Sequence, residues 1–185
     1  MNSEGTASAT ALRFVADAML GRLAKWLRIL GYDTLYAPTW DDAHLVRVAR
    51  AEDRLLLTRD NGLAERRGAR TLLLESEALT AQLLQLRRML GLEVVSPFTR
   101  CPVCNDLLEA VNKDHAWGQV PPYIFATQSE FRLCPSCNRF YWRGTHWDKM
   151  RKLVTALNEE WTQDDTKTHE EGLLRVSSRA ILKGD

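Results

Sequence analysis

Two short cysteine motifs constrain this chain most: "CPVC" (Cys101, Cys104) and "CPSC" (Cys134, Cys137), separated by 29 residues. A C-x-x-C turn lets two thiolates face one metal ion, and two such turns complete a tetrahedral site. The proline inside each pair favours a tight turn. Four protein ligands leave no open position, so the spacing predicts a structural Zn²⁺ rather than a catalytic one. A module this short buries little apolar area, and metal binding would supply on the order of 10 kcal/mol of its folding free energy. Two disulfides and a redox-active C-x-x-C are the competing readings. His115 and His146 could each replace a cysteine, but four thiolates already fill the shell.

Upstream of the cysteines the texture is different. "LRFVA" is a short apolar run ending at Asp17, followed by Met19, Leu20, Leu23, Leu27 and Leu30 at helical spacing, with Gly31 as a C-cap. "YDTLYA" reads as a second strand and "DDAHLVRVARAED" as a second helix. "RLLLT" reads as a third strand, "NGLAERRG" as a short helix or turn, and "RTLLLE" as a fourth strand. "SEALTAQLLQLRRML" is an amphipathic helix closed by Gly91, and "LEVVS" predicts a fifth strand. Strands alternating with helices imply βαβ units, hence an α/β fold of three layers with a parallel sheet covered on both faces. We therefore expect a disordered lead-in over 1–11, an α/β domain over 12–97, a zinc ribbon over 98–150, and a helix with a polar tail over 151–185.

In a parallel sheet the carboxyl ends of the strands share one edge, and ligands bind there. The strand assignments put Asp17 and Asp60 at the ends of strands 1 and 3, Asp41 and Asp42 at the opening of helix 2, and Glu75 at the end of strand 4. Each aspartate also has a plainer use, since Asp is a favoured helix N-cap. Clustered carboxylates repel one another unless a cation holds them, and the oxygen-rich set suits Mg²⁺ or Mn²⁺. Such ions can activate water and stabilise charge developing at a phosphate.

The formal net charge is +1, so any nucleic-acid or membrane partner would have to be drawn by a local patch. Two patches qualify. Arg22, Lys25 and Arg28 lie along the first helix, and Arg132, Arg139 and Arg143 are interleaved with Phe131, Phe140, Tyr141, Trp142 and Trp147 around the second cysteine pair. Cations meet phosphates and aromatic rings stack on unpaired bases, a combination suited to single-stranded RNA. A solvated helix face and a packed ribbon explain the same residues without a ligand. No apolar run approaches the roughly 18 residues of a membrane-spanning helix. The start "MNSEGTASATA" lacks the regions of a signal peptide. The expectation is a cytoplasmic protein with no membrane partner, in a compartment where disulfides are rare. Its oligomeric state is not readable from the residues.

The stretch "FVADAMLGRLAKWLRILGYDTLYAPTWDDAHLVRVARAEDRLLLTRDNGLAERRG", followed by the cysteine module, resembles the PIN-like ribonuclease family of the mutator-seven C-terminal domain type. The resemblance runs over about residues 13–150. It implies a PIN-like α/β domain joined to a four-cysteine zinc ribbon, and a hydrolase that cuts single-stranded RNA with Mg²⁺ or Mn²⁺ held by strand-end acids. Carried over residue by residue, Asp17, Asp42 and Asp60 would be catalytic, with Asp41 beside Asp42 and Glu75 in the remaining acid position. A non-catalytic RNA-binding adaptor is the alternative. A phosphoacceptor domain ranks below both, because "SPFTR" offers no lysine after the fifth strand.

Overall fold

The computed structural model describes residues 12–94, 96–144, 148, 150–152 and 154–155. Strands β1 (Arg13–Ala16), β2 (Asp33–Tyr36), β3 (Leu55–Thr58) and β4 (Thr71–Leu73) form a parallel sheet in the order β2-β1-β3-β4. A 3₁₀ turn (Ala18–Leu20) and α1 (Gly21–Ile29) join β1 to β2, α2 (Asp42–Ala51) joins β2 to β3, α3 (Asn61–Ala64) joins β3 to β4, and α4 (Leu79–Leu90) follows β4. Successive side chains of a strand face opposite ways, and here both faces are buried. Phe14, Ala16 and Leu57 join Leu23 and Leu27 of α1 and Leu83 and Leu86 of α4 in one core. Val15 and Leu56 join Leu45 and Ala49 of α2 and Leu63 of α3 in the other. Burial on both faces is why the strands read as continuous apolar runs rather than alternating ones. Each fully buried Leu or Phe contributes about 1.5–3 kcal/mol of transfer free energy, so the sheet is held from both sides.

The expected fifth strand does not form: residues 92–94 and 96 lie in no strand. Leu92 is buried, but the backbone at Glu93 bonds elsewhere. The Tyr32 hydroxyl donates to Glu93 O at 2.7 Å and accepts from Glu93 N at 2.9 Å. Further on, the Phe98 N–H reaches Ile29 O at 2.8 Å. The backbone at Glu93 and Phe98 is thus drawn back to Tyr32 and the end of α1 without a ladder.

A second, antiparallel sheet contains β5 (Glu109–Val111), β6 (Phe131–Leu133) and β7 (Phe140–Trp142) in that order. Its small core consists of Ala116, Val120 and Phe131, with Phe140 and Trp142 packed against it. Between β5 and β6 lie a 3₁₀ turn (Lys113–Ala116) and α5 (Pro122–Thr127), neither foreseen from periodicity. Pro122 opens α5, where its missing N–H costs nothing.

The lead-in over 1–11 and the tail from 156 lie outside the described residues. Of the helix expected from residue 151, residues 151–152 and 154–155 are helical, as are 148 and 150 before it, and Val154 packs into the α1–α4 core. Among the described residues no helix is long and apolar enough to cross a membrane.

Candidate functional site

The carboxyl end of the sheet gathers part of the expected acid set. Asp17 follows β1, and its N–H continues the ladder to Leu57 O of β3 at 3.0 Å. Its side chain is 7% exposed, caps the 3₁₀ turn through Ala18 N–H, and accepts the Thr58 hydroxyl at 2.6 Å. That same hydroxyl oxygen accepts the Asp60 N–H at 3.0 Å. Thr58 therefore ties the acid after β1 to the acid after β3 through one buried oxygen. Sequence reasoning passed over it; the signal was a Thr two residues before Asp60 at the close of an apolar run. Asp60 is itself the N-cap of α3, accepting from Leu63 N at 2.8 Å.

Asp41 and Asp42 divide their roles. Asp41 is the N-cap of α2, accepting from His44 N at 2.7 Å, and Asp42 is the first helical residue. The cap is thus Asp41 rather than Asp42, which instead pairs with Arg66 at 3.2 Å. Glu75 is exposed, and its backbone N–H donates to Gln85 Oε1 at 3.1 Å. Among the described residues no three carboxylates bring oxygens together as metal ligands; the Thr58 hydroxyl links Asp17 to the Asp60 backbone, and Asp41, Asp42 and Glu75 have other partners. Two acids still suit Mg²⁺, which commonly takes one or two carboxylates and fills its shell with water and substrate phosphate. Arg59, between Thr58 and Asp60, pairs with Glu77 at 2.7 Å, while its Nε is buried without a partner.

Two further glimpses of local design sit at this edge. The Tyr36 hydroxyl at the end of β2 donates to Ala18 O at 3.0 Å. A Cβ on Gly21 would fall 2.6 Å from that hydroxyl, so the start of α1 needs glycine for close approach.

The basic residues separate. Arg22 and Lys25 are exposed on α1, as are Arg132 and Arg139 on the ribbon. Arg143 is exposed and meets Glu130 at 3.5 Å. Arg28 is not on that open face. It is 4% exposed, with Nε donating to Thr34 O at 2.8 Å and Nη1 to Pro102 O and Val103 O at 3.1 and 2.7 Å. It clamps the first cysteine turn to the parallel sheet. Burial draws its pKa down, opposed by the nearby Cys101 and Cys104 sulfurs.

Asn105 supplies a second clamp. It accepts the Thr34 N–H at 2.9 Å and donates to Asp33 Oδ1 at 2.7 Å. The outer edge of β2 is thereby covered by a side chain. Burial alone would raise the Asp33 carboxyl, but hydrogen bonds from Arg54 and Asn105 overcome it and hold it at about 2.

The four cysteines converge as the spacing predicts. Their sulfurs all lie within 4.8 Å of one another, and Cys101 Sγ is 3.8 Å from Cys137 Sγ. Tetrahedral zinc with Zn–S bonds near 2.3 Å requires S···S separations of about 3.8 Å, so the donor set fits. The two turns are built alike. Asn105 N and Asn138 N donate to Cys101 O and Cys134 O, each at 2.9 Å. Both asparagines take positive φ, 76° and 54°, a conformation Asn tolerates well.

Burial pushes the Cys101 thiol up, yet the Tyr141 hydroxyl and the Cys104 and Val103 N–H groups outweigh it and bring it down to about 7. Burial and the crowding of Cys137 and Cys101 push Cys104 up to about 12. Without a cation these thiols cannot all ionise; a dication would hold four thiolates as a net dianion, and Arg28 lies beside it to offset that charge.

Fold and sites together define an α/β protein with acids at the carboxyl edge of a parallel sheet and a four-cysteine cluster able to hold a metal such as zinc. The family model described as the Mut7-C RNAse domain matches residues 12–154, and the chain belongs to that family. Its function is accordingly of the ribonuclease type, with RNA as the implied substrate. Neither the curated proteins nor the solved structures contain a significant match.

Proposed function

We propose that the protein is a Mg²⁺- or Mn²⁺-dependent ribonuclease that hydrolyses phosphodiester bonds of single-stranded RNA. The observation that supports this reading is the Thr58 bridge, whose hydroxyl donates to the Asp17 carboxylate and accepts the Asp60 N–H at the edge where parallel sheets bind ligands. Asp17 and Asp60 would hold the ion, with Asp42 turning from Arg66 to join them and Asp41 and Glu75 at the margin. A bound ion of this kind supplies charge neutralisation at the phosphate and a more acidic water.

The protein's own groups do the rest. Thr58 holds Asp17 oriented by spending its one hydroxyl hydrogen there. Arg22 and Lys25 on α1, with Arg132, Arg139 and Arg143 on the ribbon, would grip the RNA, whereas Arg28 is committed to the fold.

The unit over 12–97 would act as the PIN-like nuclease domain and that over 98–150 as a zinc ribbon, a structural element that assists RNA binding. The cell compartment we assign is the cytoplasm. The test is an assay on unstructured RNA with Mg²⁺ or Mn²⁺, comparing wild type with Asp17→Asn and Asp60→Asn. RNA binding without cleavage under either ion would favour a non-catalytic adaptor.

A further inference from the structure

Away from the acids, α2 and the loop after α3 enclose a groove of about 550 Å³. Three arginines line it: Arg47 and Arg50 from one face of α2, and Arg67 from the facing loop. All three are exposed, and no carboxylate lines the groove with them. Arg47 is steadied by the ring of His44, its Nη2 lying 2.6 Å from Nδ1. Like charges three residues apart on a helix repel, so this arrangement weakens α2 unless an anion lies between them.

The rest of the lining is small or aliphatic. Gly68, with φ +108°, faces Val46, whose Cγ1 would touch a Cβ placed there at 3.5 Å. A larger residue at Gly68 would narrow the floor and strain the loop. A groove of this kind offers charge but no pattern of hydrogen-bonding groups by which to read bases, as sequence-independent backbone binding requires.

Its position supplies the identity of the anion. The lining begins at Ala43, next to Asp42, and Arg67 follows Arg66, the partner of Asp42 at 3.2 Å. The groove thus opens beside the acid edge and runs along α2 away from it. We propose that it carries the phosphodiester backbone of the RNA strand engaged at that edge, with phosphates meeting Arg47, Arg50 and Arg67. The proposal rests on the ribonuclease reading for the choice of RNA as the polyanion.

The test is binding, not cleavage. Full-length, zinc-loaded protein is titrated onto a fluorescein-labelled oligouridylate, without added Mg²⁺ or Mn²⁺, between 50 and 200 mM salt, and anisotropy is read. For single strands each neutralised phosphate contributes about 0.7 to the slope of log K against log salt. The variant carrying Arg47→Gln, Arg50→Gln and Arg67→Gln should lose about 2 units of slope, so the wild type's affinity should fall roughly 20-fold more across that salt range. Ala43→Trp, which fills the groove and leaves the charge unchanged, should also weaken binding. Zinc content should match wild type in both, and the triple variant's melting temperature should not fall, since the repulsion within α2 is removed.

Unchanged affinity and slope in the triple variant of a protein that cleaves RNA would overturn the groove and spare the ribonuclease. Arginine-dependent binding by a protein that never cleaves would do the reverse. Failure of the wild type to bind would overturn the groove.

Discussion

The cysteine cluster and the acid edge solve opposite problems. The cluster brings four donors of one kind within 4.8 Å, built by two turns whose hydrogen bonds repeat one another. It is closed: every position of a tetrahedral ion is filled by protein, which suits a structural role. The acid edge links the Asp17 carboxylate to the backbone N–H of Asp60 through the hydroxyl of Thr58, 41 residues from Asp17 in sequence. It is open, and the remainder of any ion's shell must come from water or substrate. One centre is assembled by local turn chemistry, the other by the order of strands in a sheet.

Removing a ligand from the closed centre should have the largest effect. Cys134→Ser is expected to release close to one zinc per chain and to unfold the ribbon, since metal-coupled folding is worth on the order of 10 kcal/mol. Metal analysis and near-ultraviolet circular dichroism would show it. A ribbon that keeps its tertiary signal after losing its metal would break the contrast, because the cluster would then not need its ion to fold.

At the open centre the expectation is inverted: chemistry is lost and the fold stays. Asn remains a good N-cap, so Asp60→Asn should keep α3 intact. Loss of an ion ligand costs several kcal/mol of transition-state stabilisation. Cleavage should therefore fall by about 100-fold or more, with the melting temperature nearly unchanged. Asp17→Asn should also lose cleavage but with a lower melting temperature, because its two carboxylate oxygens accept from Ala18 N–H and the Thr58 hydroxyl and an amide oxygen can keep only one of these. Wild-type rates from either variant would remove these acids from the mechanism.

The same contrast explains how much was legible beforehand. The cysteine turns, the four parallel strands and the helix-closing Gly31 and Gly91 follow from local chemistry and periodicity, which a single sequence displays. What escaped was decided by long-range contacts. The run "LEVVS" carries a strand's composition, yet Tyr32 captures its backbone 61 residues away. Arg28 has the helical position of an exposed cation, yet carbonyls 74 and 75 residues further on draw it inward. Thr58 looked like one more strand residue until Asp17 was placed beside it. The acids themselves could be assigned to a sheet edge, but their grouping depends on side-chain partners such as Arg66 that periodicity does not reveal.

Arg28 ties the first cysteine turn to β2, and its replacement is the next test. Arg28→Met leaves the carbonyls of Thr34, Pro102 and Val103 without their donor. Unsatisfied buried acceptors cost roughly 1–3 kcal/mol each where water cannot reach them, so a loss of about 3 kcal/mol is expected. Below the melting transition RNA affinity should hold. By contrast, Arg22→Gln with Lys25→Gln should weaken binding and lower its salt slope by about 1.4 without affecting stability. A drop in RNA affinity from Arg28→Met in folded protein would return this residue to the binding face.

The smallest expected effect concerns Asp33, which joins the first cysteine turn to the sheet through Asn105 and Arg54. Its folded carboxyl titrates at about 2 against an ordinary value of 3.8. A depressed carboxyl stabilises the fold while it is ionised, so the contribution is complete above its ordinary pKa and disappears as pH falls through about 2. At neutral pH the depression corresponds to about 2 kcal/mol, reduced somewhat because the side chain is 20% exposed. Acid also protonates cysteine thiolates and weakens metal binding, but that loss is common to wild type and Asp33→Asn. The informative quantity is therefore the difference in stability between the two proteins. It should be constant from pH 7 to about pH 5 and shrink towards zero as pH falls to about 2. A difference that persists at low pH would mean that Asp33 acts through shape and hydrogen bonding alone, and that the tie between the cysteine turn and the sheet is not electrostatic.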